Sequence, residues 1–141
     1  LSINEQRNLF KLFLCDIGLL SSQMPSKVRL EFLQGELSAN WGSILENAIA
    51  QEMVAHDIQL RYFDKTKYGE VDFLLSTSEG VIPIEAKSGN DYKAHKALTN
   101  IMNVSEWKID EAIVLCKGNV SAIGDVTYLP WYAAMLFDRD E

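Results

Sequence analysis

Three charged residues stand inside two apolar runs. Asp72 lies in Gly69-Glu70-Val71-Asp72-Phe73, and Glu85 and Lys87 lie in Ile82-Pro83-Ile84-Glu85-Ala86-Lys87-Ser88-Gly89. A charge in a segment otherwise suited to burial is costly unless something pairs with it. Two carboxylates and an ammonium brought to one spot would hold a divalent cation and activate a water, which is the equipment of metal-assisted phosphodiester hydrolysis. The plain alternative is a salt-bridged cluster on the solvated face of a hairpin, which uses the same three charges and no metal.

Geometry decides between convergence and separation. Side chains alternate along a strand, so Glu85 and Lys87 share a face, as do Glu70 and Asp72. The connection Ser76-Thr77-Ser78-Glu79-Gly80 is short and turn-rich, which predicts an antiparallel hairpin. A loop closing around Ser78-Glu79 sets Asp72 opposite Glu85. A one-residue slip sets Ile84 there instead and parts the carboxylates.

Other elements must frame this hairpin. The strongest helix signal runs from Asn40, a good cap, to Ala55, with Trp41, Ile44, Leu45, Ala48, Ile49 and Met53 at helical spacing. Glu46 borders that apolar face and can reach over a sheet edge toward Asp72. It reads equally as a solvated glutamate or a capping-box acceptor for Ser43. Upstream, Leu9 to Cys15 reads as a strand or short apolar element, Asp16 as the cap of a helix start at residues 18–20, and Lys27 to Leu37 as a short helix. Gln59 to Phe63 reads as a strand, followed by a polar turn carrying Lys65 and Lys67. Asn90 to Trp107 reads as a helix with Lys93 and His95 near its start, hence near the Glu85 strand. These four are the candidates for contact with a phosphate backbone. Their plain reading is solvated charge and an exposed helix histidine. The run Glu111 to Cys116 suits a strand buried on both faces, parallel to the Glu85 strand across a right-handed crossover. Val126 to Pro130 is a further strand, and Trp131 to Phe137 a closing helix with Trp131, Tyr132 and Leu136 in the core. The pattern is α/β, without repeats or low-complexity linkers, and reads as one domain over residues 1–141.

Asp72 on one strand followed by Glu85-Ala86-Lys87 on the next resembles the PD-(D/E)XK nuclease superfamily. Four ordered segments carry a tighter likeness: Leu14-Cys15-Asp16-Ile17-Gly18-Leu19-Leu20, Trp41-Gly42-Ser43-Ile44-Leu45-Glu46-Asn47, Gly69 to Phe73, and Ile84 to Gly89. They resemble the C-terminal domain of unknown function attached to bacterial and archaeal AAA-type ATPases. The resemblance implies a restriction-endonuclease-like mixed central sheet flanked by helices. It implies Asp72, Glu85 and Lys87 as the catalytic set, with Glu46 joining Asp72 and Glu85 as metal ligands. It also implies DNA as substrate, an ATPase domain N-terminal in the same chain, and residues 1–38 as a lead-in. Carboxylates of this kind suit Mg²⁺ or Mn²⁺, with help from the Ala86 carbonyl, and Lys87 would hold the attacking water and offset developing charge. Val71 stands where Pro is common in the superfamily, and no Gln-x-x-x-Tyr follows Lys87. Some superfamily members serve only as scaffolds, so a catalytically silent interaction or regulatory module of an ATPase stands beside the enzyme reading.

Composition sets bounds on both. The 141 residues carry 13 basic and 20 acidic side chains, a net charge of −7. That balance argues against strong non-specific DNA binding by charge alone, since phosphate neutralisation needs clustered Lys and Arg. A bound metal and a basic partner surface would offset it. Cys15 and Cys116 both lie in apolar runs and are expected buried and reduced. With His56 and His95 they make no zinc spacing. No signal peptide and no membrane-length apolar run are present, so a cytoplasmic setting without membrane partners is the expectation. The chain begins at Leu1, not Met, which reads as a piece cut from a longer polypeptide, and it carries no Gly-x-x-x-x-Gly-Lys-Ser/Thr loop with which to bind ATP itself.

Overall fold

The computed structural model of the chain describes residues 10–35 and 41–138. Asn40, Leu9 and the expected helix end at Leu37 lie outside the described residues. Among those described, no helix is long and apolar enough to cross a membrane.

The architecture is α/β. Among the described residues three helices come first: α1 (Ile17–Ser22), α2 (Ser26–Leu33) and α3 (Trp41–Ala55). A two-stranded antiparallel sheet follows, β1 (Phe63–Lys65) against β2 (Gly69–Val71). The main sheet has five strands: β3 (Phe73–Ser76), β4 (Val81–Ala86), β5 (Ala112–Cys116), β6 (Ser121–Ile123) and β7 (Val126–Pro130), in the order β3-β4-β5-β7-β6. It is mixed. β4, β5 and β7 run parallel, while β3 and β6 are antiparallel edges. α4 (Lys96–Met102) lies between β4 and β5 in the chain.

Strand alternation gives the sheet two buried faces. Ala112, Val114 and Cys116 of β5 join Val71, Leu98, Ile101 and Tyr128 on the α4 side. Leu115 joins Phe73, Ile84, Leu45, Ile49 and Met53 on the α3 side. The expected apolar stripe of α3 is therefore the one that packs, with Met53 and Ile49 almost wholly buried. Asp16 caps α1 as expected, its Oδ1 accepting from the Leu19 N–H at 2.7 Å.

Several elements differ from expectation. The run Gly69 to Phe73 is not one strand. It bends at Asp72, with β2 pairing β1 and β3 pairing β4. Val71 and Leu74 both fall in the α4-side core and Phe73 in the other, so the two-residue alternation slips at the bend. The helix expected over residues 90–107 shrinks to α4 and a 3₁₀ turn, Ser105–Trp107. Asn90 and Asp91 favour turn geometry over a helical start. Trp131–Leu136 is 3₁₀ rather than α-helical, and Tyr132 and Leu136 are exposed rather than core. Residues 10–15 form no strand, and Cys15 is exposed while Cys116 is buried as expected. An apolar run alone did not bury Cys15 because the segment lies over α3 instead of entering the sheet.

Gly69 shows how tightly β2 is placed. Its φ is +101°, a region that L side chains avoid, and a Cβ there would stand 2.9 Å from the Ala97 Cβ of α4.

Candidate functional site

The hairpin register is the one that joins the carboxylates. Ser76 pairs with Val81 across a four-residue loop, and the ladder runs to Phe73 opposite Ile84. Pairing stops there at the bend, and Asp72 remains near enough to Glu85 for the two carboxylates to repel. Thr77 and Gly80 close the loop, the Thr77 N–H donating to the Gly80 carbonyl at 2.9 Å. The bend frees the Asp72 side chain to accept, through Oδ2, the Ala86 N–H at 2.8 Å. Ala86, expected to offer its carbonyl to a metal, thus also ties Asp72 down through its amide.

Lys87 is fixed at both ends of its peptide. Its N–H donates to the Leu115 carbonyl at 2.8 Å, and its own carbonyl accepts the Trp131 indole N–H at 2.9 Å. Its Nζ then stands 2.7 Å from Glu85 Oε1. The Glu85 side chain is only 10% exposed. Its other oxygen, Oε2, is buried and has no hydrogen-bond partner among the described residues. Leaving a buried acceptor unmatched is unfavourable, so this oxygen is suited to a cation or donor from outside the chain.

A further cation enters from the N-terminal side. Lys11 Nζ lies 3.5 Å from Glu46 Oε2 and 3.6 Å from Asp72 Oδ1, and is ion-paired with Glu70. The segment carrying it is clamped to α3. The Leu14 N–H donates to Asn47 Oδ1 at 2.8 Å, Asn47 Nδ2 donates back to the Leu14 carbonyl at 3.0 Å, and the Ile17 N–H donates to Gln51 Oε1 at 3.0 Å. Phe13 stacks on Phe73 with ring centroids 5.8 Å apart.

The electrostatics follow from burial and these neighbours. Burial pushes the Asp72 carboxyl up to about 6 from 3.8, against the Ala86 N–H that favours its anion; Glu46 and Glu85 raise it further and Lys11 lowers it. Burial lowers the Lys11 ammonium, but Glu70, Glu46 and Asp72 together hold it above its ordinary 10.5.

Asp72, Glu85 and Lys87 are thus gathered, and Glu46 is brought beside Asp72 through Lys11. The other expected contacts lie apart. Lys65 and Lys67 are exposed around the β1–β2 turn, their ammoniums 5.8 Å and 4.9 Å from the rings of Trp107 and Tyr68. Lys93 is exposed between β4 and α4. His95 is half-buried at the start of α4, its Nε2 sharing a 2.8 Å hydrogen bond with the Tyr128 hydroxyl. A cavity of about 710 Å³ adjoins Asp72 and is lined also by Lys11, Phe13, Arg61 and Tyr62.

The donor set can be weighed against a metal. Carboxylate oxygens suit a hard divalent ion, and Glu85 Oε2 is one with no hydrogen-bond partner among the described residues. Yet among the described residues no three Asp, Glu, His or Cys side chains are disposed to hold an ion as they stand. The place among Glu46, Glu70 and Asp72 is taken by the Lys11 ammonium. Carboxylates suit such an ion in chemistry, and three of them here surround an ammonium.

Lys11 and Asn47 are the residues that sequence reasoning missed. The signal for Lys11 was present: it is a charge inside the apolar run Leu9-Phe10-Lys11-Leu12-Phe13-Leu14, the same criterion that singled out Asp72. Asn47 and Leu14 each belong to one of the four ordered segments, but nothing local showed that the two segments bond to each other.

A family model described as a domain of unknown function (DUF4143) matches residues 41–133, about two thirds of the chain. That span holds α3 with Glu46, the hairpin and Lys87; Lys11 lies before it. Comparison with curated proteins and with solved structures returned no match.

Proposed function

Since the chain belongs to this DUF4143 family, we propose that it is a divalent-cation-dependent nuclease domain of PD-(D/E)XK type, hydrolysing phosphodiester bonds of DNA beside an N-terminal AAA-type ATPase domain. One observation carries the reading. Asp72 and Glu85 are near enough for their carboxylates to repel, Lys87 sits 2.7 Å from Glu85, and a buried Glu85 oxygen has no hydrogen-bond partner among the described residues. A salt bridge alone explains Glu85 Oε1 and leaves Oε2 unexplained.

In this reading Asp72 and Glu85 hold Mg²⁺ or Mn²⁺, with Glu46 as a further ligand. The ion, when bound, supplies Lewis acidity and makes a bound water more acidic. The chain's own contribution is placement. The Ala86 N–H sets the Asp72 carboxylate, and Leu115 and Trp131 set the Lys87 backbone. Glu85 Oε1 aims the Lys87 ammonium, which holds the attacking water and offsets negative charge gathering on the phosphate oxygens. Lys65, Lys67, Lys93 and His95 are the candidates for contact with the nucleic-acid backbone.

A second reading has its own support. Lys11 already balances Glu46, Glu70 and Asp72, and the net charge is −7, as suits a silent module that regulates an ATPase. Nicking of supercoiled DNA with Mg²⁺ or Mn²⁺ separates the two. The nuclease reading expects cleavage that falls about 100-fold or more in Glu85→Ala and Lys87→Ala, as for loss of a group acting in the transition state. Cleavage unchanged in both variants rejects the residue assignment, and no cleavage by the wild type under either ion favours the silent module.

A further inference from the structure

We propose that Lys11 is an internal lock on the metal site: its ammonium occupies the seat among Glu46, Glu70 and Asp72, and the site loads a divalent ion only when that side chain swings out. The proposal rests on the metal-site reading above and adds a control element to it.

Three observations carry it. First, Lys11 meets three carboxylates from three separate parts of the fold, α3, β2 and the bend at Asp72. A hard divalent ion would seek the same oxygens, and two cations a few ångströms apart in a partly buried site repel strongly. The Lys11 ammonium and the ion therefore compete for the Glu46 and Asp72 oxygens. Second, the main chain that follows the lock is fixed. Leu14 is held by Asn47, Ile17 by Gln51, and Phe13 stacks on Phe73. The ammonium is delivered by a clamped strap, and only the flexible lysine stem needs to move. Third, there is room to receive it. The adjoining cavity is lined by both Lys11 and Tyr62, and Nζ already lies 5.5 Å from the Tyr62 ring. A small swing would leave the ammonium on an aromatic face, where a cation is stabilised. Glu85 Oε2 has no hydrogen-bond partner among the described residues, so an oxygen that Lys11 does not satisfy is available to the ion.

The consequence is competition. An ion that binds only the open form has its affinity reduced by the fraction of molecules that are open. If the lock is closed nine times in ten or more, removing it tightens binding by about tenfold or more. The experiment is calorimetric titration of the folded chain with Mn²⁺ alone, comparing the wild type with Lys11→Gln, Lys11→Met, Lys11→Arg and Asp72→Asn. Thermal unfolding reports whether each is folded, and two neutral replacements keep the comparison standing if one is not. The lock predicts that Lys11→Gln and Lys11→Met bind at least tenfold more tightly, that Lys11→Arg does not, and that Asp72→Asn binds more weakly than wild type. Equal or weaker binding by the neutral variants, with the wild type binding in an Asp72-dependent way, overturns the lock and leaves the metal site intact. Absence of Asp72-dependent binding in both wild type and neutral variants removes the site itself, and the lock with it.

Discussion

Replacing Asp72 with Asn should make the metal-free protein more stable, and the gain should depend on pH. The Asp72 carboxyl stands at about 6 in the folded chain against an ordinary 3.8, with its side chain only 15% exposed. Between those values the folded state keeps a proton that the unfolded chain gives up. Stability therefore falls as pH rises from about 4 to about 6 and stays lowered above that. At about 1.4 kcal/mol per pH unit, the ionised carboxylate costs the folded state about 3 kcal/mol at pH 8. An amide removes that cost, and its oxygen still accepts the Ala86 N–H. Asp72→Asn should be about 3 kcal/mol more stable than wild type at pH 8 and no more stable near pH 4. Near neutral pH a gain of this size raises the Tm by on the order of 10 °C. Urea unfolding in chelator at pH 4, 6 and 8 measures it. Added Mn²⁺ should then stabilise the wild type and not the variant, since an ion that binds only the folded state adds to its stability. A variant no more stable than wild type at pH 8 would show that Lys11 already compensates the carboxylate in full. A gain of equal size at pH 4 would show that charge is not its source.

Two further substitutions probe the frame. Gly69→Ala places a Cβ 2.9 Å from Ala97 in a left-handed backbone and should cost about 1–3 kcal/mol in thermal unfolding; an unchanged Tm would show that β2 is free to shift away from α4. Asn47→Leu removes both bonds to Leu14 and should cost about 2–4 kcal/mol. It should also speed amide hydrogen exchange at Leu14 and its neighbours while the β4 and β5 amides stay protected, and unchanged exchange there would mean that the strap is held by Phe13 and Ile17 alone.

Much of the site was legible because its determinants are local. A charge in an apolar run marks Asp72, Glu85 and Lys87 without any knowledge of partners. The turn residues between Ser76 and Val81 set the hairpin register, which brings the Asp72 and Glu85 segments to the same end of the hairpin. The apolar runs of β5 and β7 and the Asp16 cap are local in the same way. What the sequence withheld depends on distant pairing. The break at Asp72 arises because β2 finds β1 while β3 finds β4, and nothing in Gly69 to Phe73 announces two partners. β6 was missed because Ser121, Ala122 and Ile123 are all exposed and carry no alternation. Tyr132 and Leu136 are apolar yet face solvent, since a 3₁₀ turn offers less of its surface to the sheet than the expected helix. Lys11 passed unnoticed because its three carboxylate partners lie at least 35 residues away in the chain, where spacing carries no information.

The most direct test is anomalous diffraction from crystals soaked in Mn²⁺. The account predicts a peak about 2.1 Å from an Asp72 oxygen and from Glu85 Oε2, with the Lys11 ammonium moved off Asp72 toward Tyr62. No peak between Asp72 and Glu85 at saturating Mn²⁺, in wild type and in Lys11→Gln alike, would contradict it.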